Sequence, residues 1–431
     1  MTTTTSSATT SSATATAATA TAVTIRDIPE SHLDRALDLV HLAHHLAPAA
    51  ETREYHRALL ARCTRVGAYE GDQLVGLVAA HPHTLSLPGG ELPCAGLDFV
   101  SVAPTHRRRG LLTAMMAGLW PRCAAAGQPL AGLWASESAI YGRYGFAPAT
   151  EADRMEIDAT VPLDLRIAPD PRPLRLIDPA DAPAVLDPLY EASRTRRAGR
   201  YRRDERWWRT SVLALDAPED HPEGYGAPRV VVLGAPGETP GGYAVYRTRG
   251  FQEGSGAPGA VLVRELEADD APAAAALWSY LTGIDLTTTV RAGARPADDP
   301  LLHLAADRDR VRITGTVPCL WLRLVDVPAA LTARSWAAPV DLVLDLQDAE
   351  LPANARCLHL TADPDGATCA PTTAAPDLTL DVRELAACYL GGTRLRDLVR
   401  DGLATEHTPG AARRLDAALE TEWLPFTGDD Y

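Results

Sequence analysis

The 431-residue chain has no lysine: all 41 of its lysine-plus-arginine positions are arginine. Beside the abundance of alanine and proline, this reads as the coding bias of a GC-rich genome, not as chemistry. Cysteine is sparse and unpatterned. Cys63, Cys94, Cys123, Cys319, Cys357, Cys369 and Cys388 form no CxxC pair, which argues against a disulfide framework and a structural zinc site and fits a reducing cytoplasm. Positive charge is in deficit, with a formal net charge of −15, so general nucleic-acid binding is disfavoured. No apolar run reaches the roughly 18 residues that a membrane span requires. The opening residues 1–22 are almost entirely Thr, Ser and Ala, and the first charge is Arg26. They lack the basic start and apolar core of a secretory signal, and predict a disordered tail with order beginning at Val23.

What remains is globular: 46% hydrophobic and 23% charged residues, in a chain long enough for two or three domains. Periodicity predicts a first domain over 23–165. It runs through helices near 30–47 and 52–62, strands at 66–70, 74–87 and 92–102, a helix over 107–126, a strand at 130–135 and a short helix at 138–143. A Pro-rich bridge (Pro169, Pro171, Pro173) leads into a second unit, 166–313, with strands at 230–233, 242–248 and 260–267 and a helix at 271–281. Its order repeats the plan of the first unit in pattern. A third, α+β unit over 314–431 opens on the strand 321–325. Between Arg194 and Arg209 eight arginines flank Trp207 and Trp208. With Asp204 and Glu205 interspersed, this stretch reads as a surface or interface helix.

The chemistry concentrates in two segments. In Val100-Ser101-Val102-Ala103-Pro104-Thr105-His106-Arg107-Arg108-Arg109-Gly110-Leu111-Leu112 a strand runs into a basic, glycine-containing loop that opens a helix. Unpaired N–H groups and a positive dipole end there suit an anion, and Gly110 allows close backbone approach. A solvated helix start would look similar. The second segment, Ser136-Glu137-Ser138-Ala139-Ile140-Tyr141-Gly142-Arg143-Tyr144-Gly145-Phe146, follows the next strand. Together the two resemble the enhanced intracellular survival (Eis) family of GCN5-related N-acetyltransferases (GNAT superfamily). Leu320 to Leu331, Tyr389-Leu390-Gly391-Gly392 and Arg414 to Ala418 resemble that family's sterol-carrier-like third domain, and Pro296, Asp299 and Pro300 a stretch of its middle domain.

The resemblance implies an α+β fold of two tandem GNAT-like domains followed by a sterol-carrier-protein-like domain. It implies acetyl-CoA as co-substrate, no metal, direct transfer to a primary amine of a cationic acceptor (aminoglycoside-like, polyamine or lysine side chain) and a cytoplasmic homohexamer. Carried over by match, Val100, Ser101 and Val102 contact acetyl-CoA from the strand. Arg108, Arg109, Gly110, Leu111, Leu112 and Thr113 contact it from the loop and helix start, and Ser136 and Glu137 from the next strand end, where the same pair could equally cap the following helix. Tyr141 is the general acid. The base is the α-carboxylate of Tyr431, with Asp429 and Asp430 beside it. Leu112 stands where GNAT loops usually end in a small residue. Residues 41–56 show no match to the family's substrate-lining positions; Glu51 and Glu54 are candidate cation contacts there, with solvated surface the favoured reading of the pair. The second unit carries Arg264-Glu265-Leu266-Glu267-Ala268-Asp269-Asp270 in place of the basic loop, which predicts loss of cofactor binding. An alternative from another class is an acetyl-CoA-sensing or lipid-binding protein.

Overall fold

A computed structural model describes residues 22–213, 224–251 and 256–430. Three sheets organise them. The first has seven strands in the order Val23–Asp27, Thr64–Glu70, Gln73–Leu87, Gly90–Val102, Leu130–Trp134, Leu320–Leu324 and Ala147–Pro148. The second also has seven, from Val311–Pro318 through Glu151–Asp158, Thr287–Arg295, Gly259–Ala268, Gly242–Arg249 and Arg229–Leu233 to Leu174–Ile177. The third has five, centred on Val340–Gln347.

The first two sheets share a plan. Antiparallel strands lead to a strand that crosses over through one helix into a parallel neighbour. In the first sheet Leu111–Ala125 connects Gly90–Val102 to Leu130–Trp134, and in the second Ala271–Thr282 connects Gly259–Ala268 to Thr287–Arg295. The crossover helix Leu111–Ala125 buries Leu111, Met115, Met116, Leu119, Trp120 and Cys123, a stripe of helical spacing laid on the sheet. Each buried side chain of this size contributes about 1.5–3 kcal/mol of transfer free energy.

Two strands leave the segments to which sequence periodicity assigns them. Glu151–Asp158, read as the end of the first unit, pairs between Val311–Pro318 and Thr287–Arg295 in the second sheet. Leu320–Leu324, read as the opening of the third unit, inserts into the first sheet between Leu130–Trp134 and Ala147–Pro148. The chain therefore crosses between the two sheets twice. Arg323, carried on that inserted strand, makes a fully buried pair with Asp348 of the third unit at 2.6 and 2.8 Å.

The arginine-rich stretch also differs from expectation. The helix Ala182–Arg196 ends inside it, and after a turn at Gly199 residues 200–202 run beside Thr84–Ser86. Arg194, Arg200 and Arg203 are buried, because carboxylates from distant segments meet each of them. No helix among the described residues is long and apolar enough to cross a membrane.

Candidate functional site

The crossover geometry opens a slot. Gly90–Val102 and Leu130–Trp134 pair in parallel only at Cys94–Gly96 with Leu130–Gly132, and beyond Gly96 the two strands part. At the same place the register against Gln73–Leu87 slips between Leu77 and Ala79, and Phe99 adopts φ 53°. A bulge bends the strand and re-aims its backbone. The left-handed conformation is costly for a bulky residue and marks a site held by its surroundings. Along this edge the Val100 carbonyl accepts from His44 Nε2 at 3.1 Å. Ser101 is buried, and its Oγ finds no hydrogen-bond partner among the described residues. Val102 closes the strand.

From the strand end the chain passes through the short turn Pro104–His106 into the basic loop. Arg108 and Gly110 both take positive φ, 61° and 75°, so the backbone coils just ahead of Leu111. A side chain at Gly110 would meet nothing within 4 Å. The glycine is required for its conformation, and the space before the helix is open. Arg109 donates to Glu70 at 3.2 Å, and His106 Nε2 lies 3.2 Å from the other Glu70 oxygen. Arg108 is exposed with no side-chain partner among the described residues. Thr113, one turn into the helix, bonds the Tyr144 hydroxyl at 3.1 Å, while Leu111 is buried and Leu112 half-buried. The loop therefore leaves open space ahead of the helix start, an arrangement that suits an anion.

Tyr141 ends the short helix Ser138–Tyr141 and is buried edge-on against Phe146. Burial, reinforced by Asp98, Glu137 and Tyr144, pushes its phenol up to about 12, so it keeps its proton at neutral pH. Glu137 stands at the N-cap position of that helix without a side-chain cap bond, and Ser136 and Glu137 are both exposed.

Tyr141, Val100 and Ser136 all face one cavity of about 530 Å³. Arg108 to Thr113 lie outside its lining. The helix Ala50–Arg62 contributes Tyr55, His56, Leu59 and Arg62 to the cavity. Glu51 and Glu54 are exposed and do not line it, in keeping with the solvated-surface reading of the pair. Sequence reasoning missed His81 and His83. Their i, i+2 spacing on the strand Gln73–Leu87 puts both on one face, with rings stacked 5.4 Å apart. Burial, with His81 and Arg62 nearby, lowers His83 to about 3 and holds it neutral.

Arg203 also lines the cavity, and from it the end of the chain is anchored. It donates to Asp429 at 2.6 Å and to both oxygens of Glu265 at 3.0 and 2.5 Å. Asp429 further accepts from the Tyr190 hydroxyl at 3.0 Å. Thr427 donates to the Gly199 carbonyl at 2.5 Å, and Arg264 reaches Asp430 at 3.3 Å. Tyr431 lies outside the described residues. The acidic stretch of the second unit is a strand end, not a loop: Glu265 and Glu267 turn inward onto Arg203 and Arg200. Burial opposes the ionisation of Glu265, but Arg203 and Arg200 outweigh it and lower its carboxyl to about 2. Asp270 caps the following helix by accepting from the Ala273 amide at 2.9 Å.

Comparison with known proteins gives a consistent picture. Residues 24–149 and 199–324 each match a family described as an acetyltransferase (GNAT) domain, and residues 327–427 match a sterol carrier protein domain. An uncharacterized N-acetyltransferase of Streptomyces avermitilis is 40% identical over 385 residues, covering 88% of this chain and 93% of the relative. The N-acetyltransferase Eis of Mycobacterium tuberculosis is 35% identical over 375 residues, covering 83% and 86%. The crystal structure of Eis1 from Mycobacterium abscessus superposes with a TM-score of 0.81 at 32% identity, over 95% of this chain and all of that one.

Proposed function

The chain belongs to the Eis family of GCN5-related N-acetyltransferases, and on that premise we propose that it moves the acetyl group of acetyl-CoA directly onto a primary amine of a cationic acceptor, such as an aminoglycoside-like amine, a polyamine or a lysine side chain. The observation that carries this reading is convergence. The open strand edge at Val100 and the buried neutral phenol of Tyr141 line one cavity together with Arg203, and Arg203 holds Asp429 near the end of the chain.

In this reading Val100, Ser101 and Val102 hold the pantetheine arm along the strand edge, and Ser136 and Glu137 flank its thioester end. Arg108, Arg109 and the helix start from Gly110 to Thr113 take the pyrophosphate through backbone N–H groups and charge-assisted bonds. The amine lone pair attacks the thioester carbon, the C–S bond breaks and the thiolate leaves. Tyr141 gives its proton to that thiolate. A phenol near 12 is a weak acid against a thiol of ordinary pKa about 8.5, but the burial that raises the phenol raises a departing thiolate in the same pocket as well.

The Tyr431 α-carboxylate takes the proton lost by the amine. Asp429, the last residue but two, is fixed on Arg203, and a chain rises by at most about 3.6 Å per residue. That Arg203, which lines the cavity, holds Asp429 supports this role for the residue two places on. The family likeness also supports a cytoplasmic homohexamer, which sedimentation of the purified protein tests.

The direct assay is DTNB detection of CoA released from acetyl-CoA in the presence of a panel of amines. Amine-dependent release with an acetylated product in the mass spectrum is the expected result. Tight acetyl-CoA binding with no release for any amine favours a sensing protein instead.

A further inference from the structure

Two carboxylates of described residues line the cavity, Asp98 and Asp204, and they are held differently. Asp204 is engaged: Arg62 donates to it at 3.2 Å and the Trp207 amide at 2.8 Å. Asp98 Oδ1 accepts from the Phe99 amide at 2.6 Å, and Oδ2 lies 3.3 Å from His81 Nε2. Neither oxygen of Asp98 meets a guanidinium among the described residues. The side chain keeps 26% exposure, and it neighbours Tyr141 closely enough to raise that phenol. The strand bulge at Phe99 is what sets it there. A half-buried anion without a full countercharge is an unfavourable arrangement unless a cation joins it.

The rest of the wall is aromatic and basic. Tyr55, Phe99, Trp134 and Trp207 give it apolar faces. Arg62, Arg202 and Arg206 line it too, with Arg62 on Asp204 and Arg202 on Glu91. Arg206 lies 4.9 Å above the Tyr55 ring and donates to the Tyr55 carbonyl, without a carboxylate among the described residues. One ammonium is therefore welcome at Asp98, and a second, farther along the same molecule, would face the guanidinium of Arg206.

We propose that Asp98, steadied by His81, seats the ammonium of the acceptor, and that the acceptor is a primary amine with a single ammonium on an apolar, aromatic-contacting stem. This rests on the acetyl-transfer reading and narrows it. A lysine-like or aralkyl amine has this form, whereas polyamines and aminoglycosides carry several cations. Asp98 binds the ammonium, the chain end removes its proton, and the freed lone pair attacks.

The test is steady-state CoA release at saturating acetyl-CoA with tryptamine and phenethylamine against spermidine and kanamycin. The wild-type protein should show kcat/KM at least about tenfold higher for the monoamines. Asp98→Asn should raise the monoamine KM by about tenfold or more, the loss expected for one charge-assisted bond. Its acetyl-CoA affinity by calorimetry should stay at the wild-type value, which also reports that the variant is folded. Arg206→Glu should move the preference toward spermidine. Wild-type preference for spermidine or kanamycin, a question no variant's folding can cloud, would overturn the assignment. So would an unchanged monoamine KM in Asp98→Asn with cofactor binding intact. If no amine drives release, the acetyl-transfer reading itself falls, a result distinct from a reversed preference.

Discussion

At the scale of single residues, the phenol of Tyr141 is the sharpest commitment. It is buried, neutral and at the cavity wall, and its replacement by Phe removes one oxygen while keeping the ring that packs on Phe146. Tyr141→Phe is expected to lower kcat by roughly 10²- to 10⁴-fold, the contribution typical of general acid catalysis, with acetyl-CoA binding unchanged by calorimetry. An unaltered kcat at saturating amine removes Tyr141 from the chemistry. The family match that points to Tyr141 was legible in the sequence because its flanking Ile140-Tyr141-Gly142-Arg143-Tyr144-Gly145-Phe146 is contiguous. Asp98, His81 and Arg203 were not. Their partners lie 17 residues away for the first pair and 226 for Arg203 with Asp429, and no local pattern records a contact across such distances.

At the scale of elements, the loop and its helix act together. Arg108 and Gly110 coil the backbone so that the first amides of Leu111–Ala125 face open space. Changing Arg108 and Arg109 together to Ala should weaken acetyl-CoA by roughly 1.5–3 kcal/mol for each contact made, and less where solvent screens it. The amine KM should move far less. Calorimetric titration with acetyl-CoA checks this, and equal affinity in mutant and wild type would show that the loop holds no pyrophosphate. Periodicity placed this helix correctly but started it at Arg107, because the spacing of apolar residues does not reveal two left-handed residues ahead of it. The stretch from Arg194 to Arg209 misled more seriously. Its spacing suits a helix, yet Ala198-Gly199 breaks it, and the guanidinium groups of Arg194, Arg200 and Arg203 are buried on Glu91, Glu267, Glu265 and Asp429.

At the scale of the whole molecule, that arginine stretch is the junction. It ties the first sheet through Glu91, the second through Glu265 and Glu267, and the chain end through Asp429. The second GNAT-like sheet, whose acidic strand end replaces a basic loop, thus supports the end of the chain. Domain count and order were legible from composition and pattern, whereas the exchange of Glu151–Asp158 and Leu320–Leu324 between sheets was not, because strand pairing is a non-local choice. The junction is also pH-sensitive. Glu265 has its carboxyl lowered from 4.5 to about 2, so its folded state binds fewer protons than its unfolded state over that range. The stability it confers is present above about pH 4.5 and is lost as pH falls toward 2. Activity after brief exposure across this window should therefore fall in step with loss of the Arg203 contacts, and Glu265→Gln should flatten that part of the profile. An identical acid profile in Glu265→Gln would show that the junction does not govern it.

The proposed mechanism rests most heavily on the Tyr431 α-carboxylate as its base. An α-carboxyl group in a model peptide has a pKa of about 3.3–3.7. Adding one Gly after Tyr431 moves that charge by about 3.8 Å and leaves every side chain in place. The measurement is kcat of the extended protein, at saturating acetyl-CoA and amine, beside a protein carrying the same residue ahead of Met1. The account predicts that the C-terminal addition abolishes most of the turnover while acetyl-CoA affinity and assembly stay at wild-type values, and that the N-terminal addition and Tyr431→Phe are mild. Full turnover in the C-terminally extended protein would contradict it and hand the proton to a side chain such as Glu137 or to a chain of water.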